Sequence, residues 1–300
     1  MEIRTLRYFL AVAREENMSR AAQMLHVTQP TLSKAMKALE DELGKKLFNR
    51  HSFSISLTEE GSLLRDRAED IVMMADKMES EFRSLDDITG GQLYFGLAES
   101  YRIRLLAREL RILKERYPAL SYHITSGDTE QVTEKLDRGL LDFAVVCDEP
   151  DRRKYESVVF PEGDIWGLVL PAKSPLAQKD ALTADDLAGL PRFASEQGWY
   201  GDIRGWAGEK VGDLRLEGLF RLAYNASMFV REGLGFQLAF SGLVDVSAES
   251  GLVFRPLSPA LEVRLYLIWN RGGLLTPIAE RFLEQVRRDF KASKEAEWDR

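Results

Sequence analysis

Within Ser19 to Leu43, SRAAQMLHVTQPTLSKAMKALEDEL, the side chains able to do chemistry are amides, hydroxyls and ammonium groups, and their spacing suits the reading of nucleic acid. At about 100° per residue, Ser33, Lys34 and Lys37 fall on one side of a helix and Leu32, Ala35, Met36, Leu39 and Leu43 on the other. Thr28 is a cap and Pro30 fits the first turn, where a missing N–H costs nothing, so the helix start presents Gln29, Pro30, Ser33, Lys34 and Lys37 toward a groove. Basic Lys45, Lys46 and Arg50 are placed to hold phosphates, contacts that set register without carrying sequence information. Catalysis finds little support. His26, His51 and His123 lie far apart without metal-ligand spacing or a nucleophile partner, and GLGFQL after Glu232 lacks the last glycine of a dinucleotide fingerprint. No catalytic residue, metal or cofactor is expected.

The elements that must position these groups are short helices. Leu6, Phe9, Leu10 and Ala13 follow an i, i+3, i+4, i+7 spacing, giving a first helix, and Ala22 and Leu25 on a second brace the apolar side of the third. After them KKLFNRHSFSISL places Leu47/Phe48 and Ile55/Leu57 around a polar tip at Arg50 to Phe53, the pattern of a two-stranded wing. An amphipathic hairpin that only buries leucine and shows lysine to water has the same periodicity; the wing and the extra helix favour the DNA reading. These residues, LRYFLAVAREENMSRAAQMLHVTQPTLSKAMKALEDELGKKLFNR followed by LTEEG, resemble the winged helix-turn-helix of the LysR-type transcriptional regulators. Two positions depart from the family pattern: Thr28 stands where serine is usual, and Lys34, where arginine is frequent, lacks the bidentate fork that reads guanine.

Charge is an independent check. The chain carries −7 overall, yet Ser19 to Arg50 holds six basic residues (Arg20, Lys34, Lys37, Lys45, Lys46, Arg50) against three acidic (Glu40, Asp41, Glu42), a local +3. A segregated charge of this kind suits selective binding to double-stranded DNA better than nonspecific coating. The 300 residues, 45% hydrophobic and 30% charged, suffice for two or three globular units. No apolar run reaches the length of a signal sequence or of the ~20 residues of a membrane span, so a cytoplasmic protein is expected, in keeping with a single cysteine. That residue, Cys147, reads as a small hydrophobe closing the strand FAVV rather than as a redox sensor, because it has no resolving partner.

Leu64, Ala68, Ile71, Ala75, Met78, Phe82 and Leu85 recur in a 4,3,4,3,4,3 pattern, an a/d seam on a helix that starts at Thr58-Glu59-Glu60. The seam pairs with another helix or packs on the chain's own body; in the LysR-type proteins the equivalent helix joins two copies, which implies a dimer or a dimer of dimers. Thr89-Gly90-Gly91 then breaks the helix as a joint. From Gln92 strands alternate with helices, a parallel α/β plan. The expected division is residues 1–57 for the winged helix-turn-helix, 58–88 for the linker and 89–300 for an effector domain. Its first lobe takes 92–163 and 265–300, and its second takes 164–264. The order of RYPAL, LDRGLLDFAVV, LTADDLAGL and REGLGFQLAF resembles the family's effector domain, with the two-lobed fold of periplasmic binding proteins.

Two lobes joined by two crossings make a cleft, and strand ends followed by helix starts suit an anionic ligand. Ser100, Tyr101 and Arg102 follow the first strand; Thr129 caps a helix after Ser-Gly-Asp; Ser195 and Glu196 follow PRFAS; Asn225 opens a helix; Phe236 closes a wall. Arg102 is placed to pair a carboxylate, whereas Glu196 admits an amine-bearing ligand such as an amino acid. The expected activity is DNA-binding regulation modulated by a small-molecule effector, with RNA polymerase as a further partner that the resemblance implies. The rival is a solute-binding protein without a regulatory role.

Overall fold

The computed structural model describes the backbone of residues 1–51, 54–84 and 90–298, and side chains there except at 50, 83, 84 and 293–298. It divides into two compact units, Met1–Arg83 and Ser84–Arg300. The first unit opens with α1 (Ile3–Glu15), α2 (Met18–Met24) and α3 (Gln29–Leu43). Leu6, Phe9 and Val12 of α1 meet Ala21 and Ala22 of α2 and Leu32, Met36 and Leu39 of α3 in one core. Val12, not Ala13, completes the buried stripe of α1, and Leu43 is exposed because α3 stops beside it at Gly44, whose φ is 64°. The corner between α2 and α3 is closed by hydrogen bonds from the N–H of Val27 to Ala22 and from that of His26 to Gln23, which place His26 in the left-handed region at φ 54°.

The wing follows as β1 (Phe48–Arg50) and β2 (Ile55–Leu57), antiparallel with Phe48 opposite Leu57. The residues of its expected tip, Ser52 and Phe53, lie outside the described residues, as does the side chain of Arg50. Glu40, one of the three acidic residues counted above, is buried at the root of this wing. Its carboxylate accepts from the N–H groups of Leu47 at 2.9 Å and Phe48 at 3.4 Å and pairs with Lys46 at 3.4 Å. Then comes α4 (Glu59–Ser84), 26 residues long and capped by the Thr58 hydroxyl, which accepts from Gly61 at 3.0 Å. A Cβ at Gly61 would stand 2.2 Å from the carbonyl oxygen of Leu47, so the helix start can lie against the wing only with glycine there.

The expected seam divides. Ala68 is buried in the head's own core with Leu64 packed beside it, whereas Ile71, Met78 and Phe82 are exposed, together with Met74. Leu85 lies outside the described residues.

The second unit begins with β3 (Gly90–Leu97), α5 (Ile103–Arg116), β4 (Ala119–Ser126), α6 (Thr129–Asp137), β5 (Phe143–Val146) and β6 (Tyr155–Val159). It continues with β7 (Asp164–Pro171), α7 (Ala184–Leu187), β8 (Arg192–Ser195), α8 (Glu196–Gly198), α9 (Arg204–Ala207) and β9 (Leu216–Phe220). After α10 (Ala223–Arg231), β10 (Phe236–Phe240), β11 (Leu252–Pro256) and β12 (Glu262–Val263), the chain closes with β13 (Tyr266–Asn270) and α11 (Pro277–Trp298). One sheet has the order β4-β3-β5-β13-β6 and the other β11-β7-β10-β8-β9, with β12 paired to β7.

Both sheets are mixed rather than parallel. β13 re-enters the first sheet from the edge where β5 and β6 leave it, so it must run antiparallel to both. Gly90 and Gly91 are not a joint. They open β3 opposite Ala119 and Leu120, and a Cβ on Gly90 would lie 2.5 Å from the Ala119 backbone. The first sheet packs on α5 and α11, with Phe95, Phe143 and Phe282 in mutual ring contact. The second buries Trp166, Leu168, Leu187, Ile203 and Leu238.

The chain passes between the sheets twice, before β7 and after β12, and the two passages are bonded to each other. Phe160 donates its N–H to Leu265 at 2.9 Å, and Asp164 pairs with Val263. Asp164 is fully buried there, and burial pushes its carboxyl up to about 6 against the opposing pull of Ser100 and Arg102.

Two stability predictions follow from these buried acids. Glu40→Ala leaves the N–H groups of Leu47 and Phe48 without their acceptor and costs about 1–3 kcal/mol, while Glu40→Gln, which retains an acceptor, costs less. Hydrogen exchange of the wing amides in the full chain reads the difference. For Asp164 the folded pKa lies above the unfolded value of 3.8, so its contribution is fully present below pH 3.8 and is lost as pH rises through about 6. The loss is on the order of 2–3 kcal/mol, and Asp164→Asn should flatten the pH dependence of melting across that window. An unchanged slope in the variant would show that other groups set it.

Candidate DNA-reading face and ligand cleft

The start of α3 is built from its cap. The Thr28 hydroxyl accepts from the N–H of Thr31 at 3.4 Å and lies 2.8 Å from the Thr31 hydroxyl, which turns the first residues of the helix outward. Thr28, Gln29, Pro30, Lys34 and Lys37 are exposed and Ser33 is half-buried. Thr31, exposed on the same turn, is a member that the helical projection passed over. Lys34 and Lys37 make no ion pair among the described residues, so both ammonium groups are available to a ligand. Lys45 and Lys46, read above as phosphate clamps, are paired with Glu60 at 3.8 Å and Glu40 at 3.4 Å. They anchor the wing while keeping their heads largely in water.

Between the lobes of the second unit lies a cleft of about 400 Å³. Trp166, Phe220, Leu238, Phe240 and Leu243 form its apolar side, with Trp166 and Phe240 4.4 Å apart between ring centroids. Glu99 and Asp128 come from the first lobe, and Ser195, Glu196, Asp202 and Arg221 from the second. Asp202 accepts from the indole Nε1 of Trp166 at 3.0 Å; burial, and then the nearby Asp148, raise its pKa. Cys147 also lines the space. Its thiol is pushed far above the ordinary range, first by burial and then by Asp164, Asp148 and Asp202, so it stays protonated.

Two of the helix starts expected to receive an anion, those of α6 and α10, are occupied by the chain's own carboxylates. Asp128, not Thr129, caps α6 in a reciprocal box: its side chain accepts from the Gln131 N–H at 2.9 Å, and the Gln131 side chain accepts from the Asp128 N–H at 3.3 Å. Glu99 reaches from the first lobe to the N–H of Ala223 at 2.8 Å, the first residue of α10. The hydroxyl of Ser195 caps α8 by accepting from Gly198 at 3.2 Å.

Of the eight residues expected to bind an effector, Ser195 and Glu196 line the cleft. Thr129 sits at its rim in a clasp between the lobes. Gln197 donates through Nε2 to the Thr129 hydroxyl at 2.9 Å and to Asp148 at 2.5 Å, and its Oε1 accepts from the Thr129 N–H at 3.2 Å. Arg102 is held away from the cleft by Glu162 at 2.6 Å, by the Gly163 carbonyl at 2.9 Å and by Asp164 at 3.6 Å. Ser100 accepts from the Arg102 N–H at 2.9 Å, and Tyr101 packs over Gly242, where a Cβ would lie 2.9 Å from its ring. Asn225 is exposed on α10, which begins two residues earlier, and Phe236 packs into the core of the second lobe. Glu99, Asp128, Gln197 and Asp202 were missed. Only the Asp128-x-x-Gln131 box had a local signal; the others act through partners distant in sequence.

Comparison with known proteins agrees with this architecture. Residues 3–62 match the model of the bacterial regulatory helix-turn-helix proteins of the lysR family, and residues 87–291 match the LysR substrate binding domain. The Hca operon transcriptional activator HcaR of Escherichia coli (strain K12) is 28% identical over 91% of this chain and 93% of its own length. The HTH-type transcriptional regulator BsdA of Bacillus subtilis (strain 168) is 36% identical over 48% of this chain and 50% of its own. Full-length CbnR in complex with its target DNA shares the fold, with a TM-score of 0.74 at 23% identity over 96% of this chain and 99% of that one. With two domain models matched along its length, the chain belongs to the LysR family of transcriptional regulators.

Proposed function

We propose that this regulator reads a dyad-symmetric operator through the start of α3, as a dimer or a dimer of dimers, and responds to a small molecule held between the lobes of its effector domain. The observation that carries the reading is the division of α3: Leu32, Met36 and Leu39 are fully buried while Gln29, Pro30, Thr31, Lys34 and Lys37 stand free of the fold. CbnR, whose fold this chain shares, is seen on its target DNA, which supports the same use of the head here. Residues 1–57 then act as the DNA-binding head, 58–88 as the dimerising linker and 89–300 as the effector domain, with lobes at 92–163 with 265–300 and at 164–264. The protein works in the cytoplasm, where RNA polymerase is a further partner. The cleft is read as a binding site rather than a catalytic one, because the chain belongs with transcriptional regulators and this part of it matches the LysR substrate binding domain.

Linkage supplies the mechanism. A ligand with higher affinity for the clasped lobes than for separated ones shifts that equilibrium by at most the difference in affinity, and the factor by which it changes the affinity for DNA is the factor by which DNA changes the affinity for the ligand.

Lys34→Ala or Ser33→Ala should cost about 1–3 kcal/mol of discrimination between operator and random DNA. Arg50→Ala should instead weaken binding to every sequence and lower the salt slope by about 1. Anisotropy titrations across a salt series separate the two behaviours, and equal losses on operator and random DNA for Lys34→Ala would remove it from the base-reading set.

On α4, Met78→Glu places a carboxylate on the exposed part of the seam and should halve the mass seen by light scattering while circular dichroism stays unchanged. Leu64→Glu, directed at the head's own core, should lower melting instead. A Met78→Glu protein that keeps its native mass would move the dimer contact elsewhere.

A further inference from the structure

The charge of the cleft selects a class of ligand. Lining carboxylates number four, Glu99, Asp128, Glu196 and Asp202, against one guanidinium, that of the exposed Arg221. Asp148 adds a fifth acid at the clasp. Two of the four already serve helix starts. Asp128 caps α6 and Glu99 caps α10, so the positive ends that would attract an anion are neutralised from within. The carboxylate of Glu196, exposed as Arg221 is, has no hydrogen bond or ion pair among the described residues. Among the described residues Asp202 has one donor, the Trp166 indole, and no basic partner, while burial and Asp148 both disfavour its charged form. An anionic ligand entering this space would meet uncompensated like charge. A cationic one would relieve it.

The apolar side completes the specification. Trp166 and Phe240 offer aromatic surface beside the acids, and Leu238 and Leu243 extend it. Cations are attracted to aromatic faces as well as to carboxylates, and the volume of about 400 Å³ falls toward the small end of ligand cavities, which run from roughly 300 to 1,000 Å³. Resting on the proposal that the cleft is the effector site, we infer that its effector is a small organic cation, an amine or guanidine on an apolar body, with the positive group held between Glu196 and Asp202 and the body laid against Trp166 and Phe240. This reverses the preference for a carboxylate that Arg102 suggested from the sequence, because Arg102 is committed to Glu162 and Asp164 at the crossing.

The test uses the full-length protein and sets of matched size that differ only in charge: 2-phenylethylamine, 2-phenylethanol and 3-phenylpropionate, with aliphatic and guanidino counterparts of the same length. Melting shifts and calorimetric titrations are recorded for the parent, for Glu196→Gln and Asp202→Asn, and for Ser195→Trp, which fills the cleft. Expected are binding by cationic members only and at least a tenfold loss of affinity in Glu196→Gln and in Asp202→Asn. Ser195→Trp should abolish binding. Operator binding without ligand should persist in all three variants, and Asp202→Asn, which retains an acceptor for the indole N–H, should melt no lower than the parent. If neutral or anionic members bind and Ser195→Trp abolishes it, the cleft reading stands and the cationic class is overturned. If cations bind equally well to Ser195→Trp, or if no member of any charge binds, the cleft reading itself fails.

Discussion

Everything about the cleft depends on the two covalent passages between the sheets and on their being bonded to each other. Phe160 with Leu265 and Asp164 with Val263 make one short two-stranded strap, and Gly163 inside it has no room for a side chain, since a Cβ would lie 2.5 Å from Glu262 and 2.8 Å from the Val263 carbonyl. A strap of this kind resists translation of one lobe against the other and leaves rotation as the soft motion. Arg102 ties the start of α5 to that strap through Glu162 and Asp164. Its guanidinium is therefore a structural counter-charge for a buried acid, and removing it would leave Asp164 in an apolar setting with no cation.

The same economy of charge governs the cleft walls. An open α/β sheet aims helix N-termini at the crevice beyond its strand ends, and those ends ordinarily favour anions. Here α6 and α10 carry carboxylates on their first turns, one from the adjoining loop and one from the opposite lobe. The Glu99 contact does two jobs at once, satisfying backbone N–H and drawing the lobes together. Topology sets where a ligand sits, but the residues on a few loops set its charge, and two chains with one fold can prefer opposite ions.

What was legible in the sequence was what repeats locally. Leu32, Met36 and Leu39 recur at helical spacing, and Thr28 and Pro30 mark a helix start by short-range chemistry; each depends on neighbours within a few residues. The Asp128-x-x-Gln131 box is equally local, yet the expected cap falls on the adjacent Thr129. The seam of α4 was readable as a stripe, yet periodicity does not say which partner covers each rung, and Ala68 proved to pack within the head while Met78 did not. Six of the eight residues expected to bind an effector lie off the cleft lining for a different reason. Arg102 finds its acids some sixty residues away and Gln197 finds Thr129 across the cleft, 68 positions distant. Arg192, in an ordinary-looking strand, is fully buried, which no local pattern announces. Long-range polar pairing has no period, and helix-start arguments identify sockets without saying whether the chain has already filled them.

The clasp sets how a ligand can act. Gln197 bridges Thr129 and Asp148, and Glu99 bridges Ala223, so the approach of the lobes carries several hydrogen bonds of the chain's own, worth about 1 kcal/mol each. A ligand that had to carry the equilibrium from 1:99 to 99:1 would need roughly 10⁴-fold preference for the clasped state. The more the chain's own bonds favour the clasped state, the smaller the preference required of the ligand proposed for the cleft. The clasp thus lowers the differential affinity demanded of a small molecule while limiting how large a response that molecule can evoke. If the cleft holds the effector as proposed, weakening Gln197 would widen the response and strengthening it would flatten the response, so the rim of the cleft, rather than its floor, would set the sensitivity.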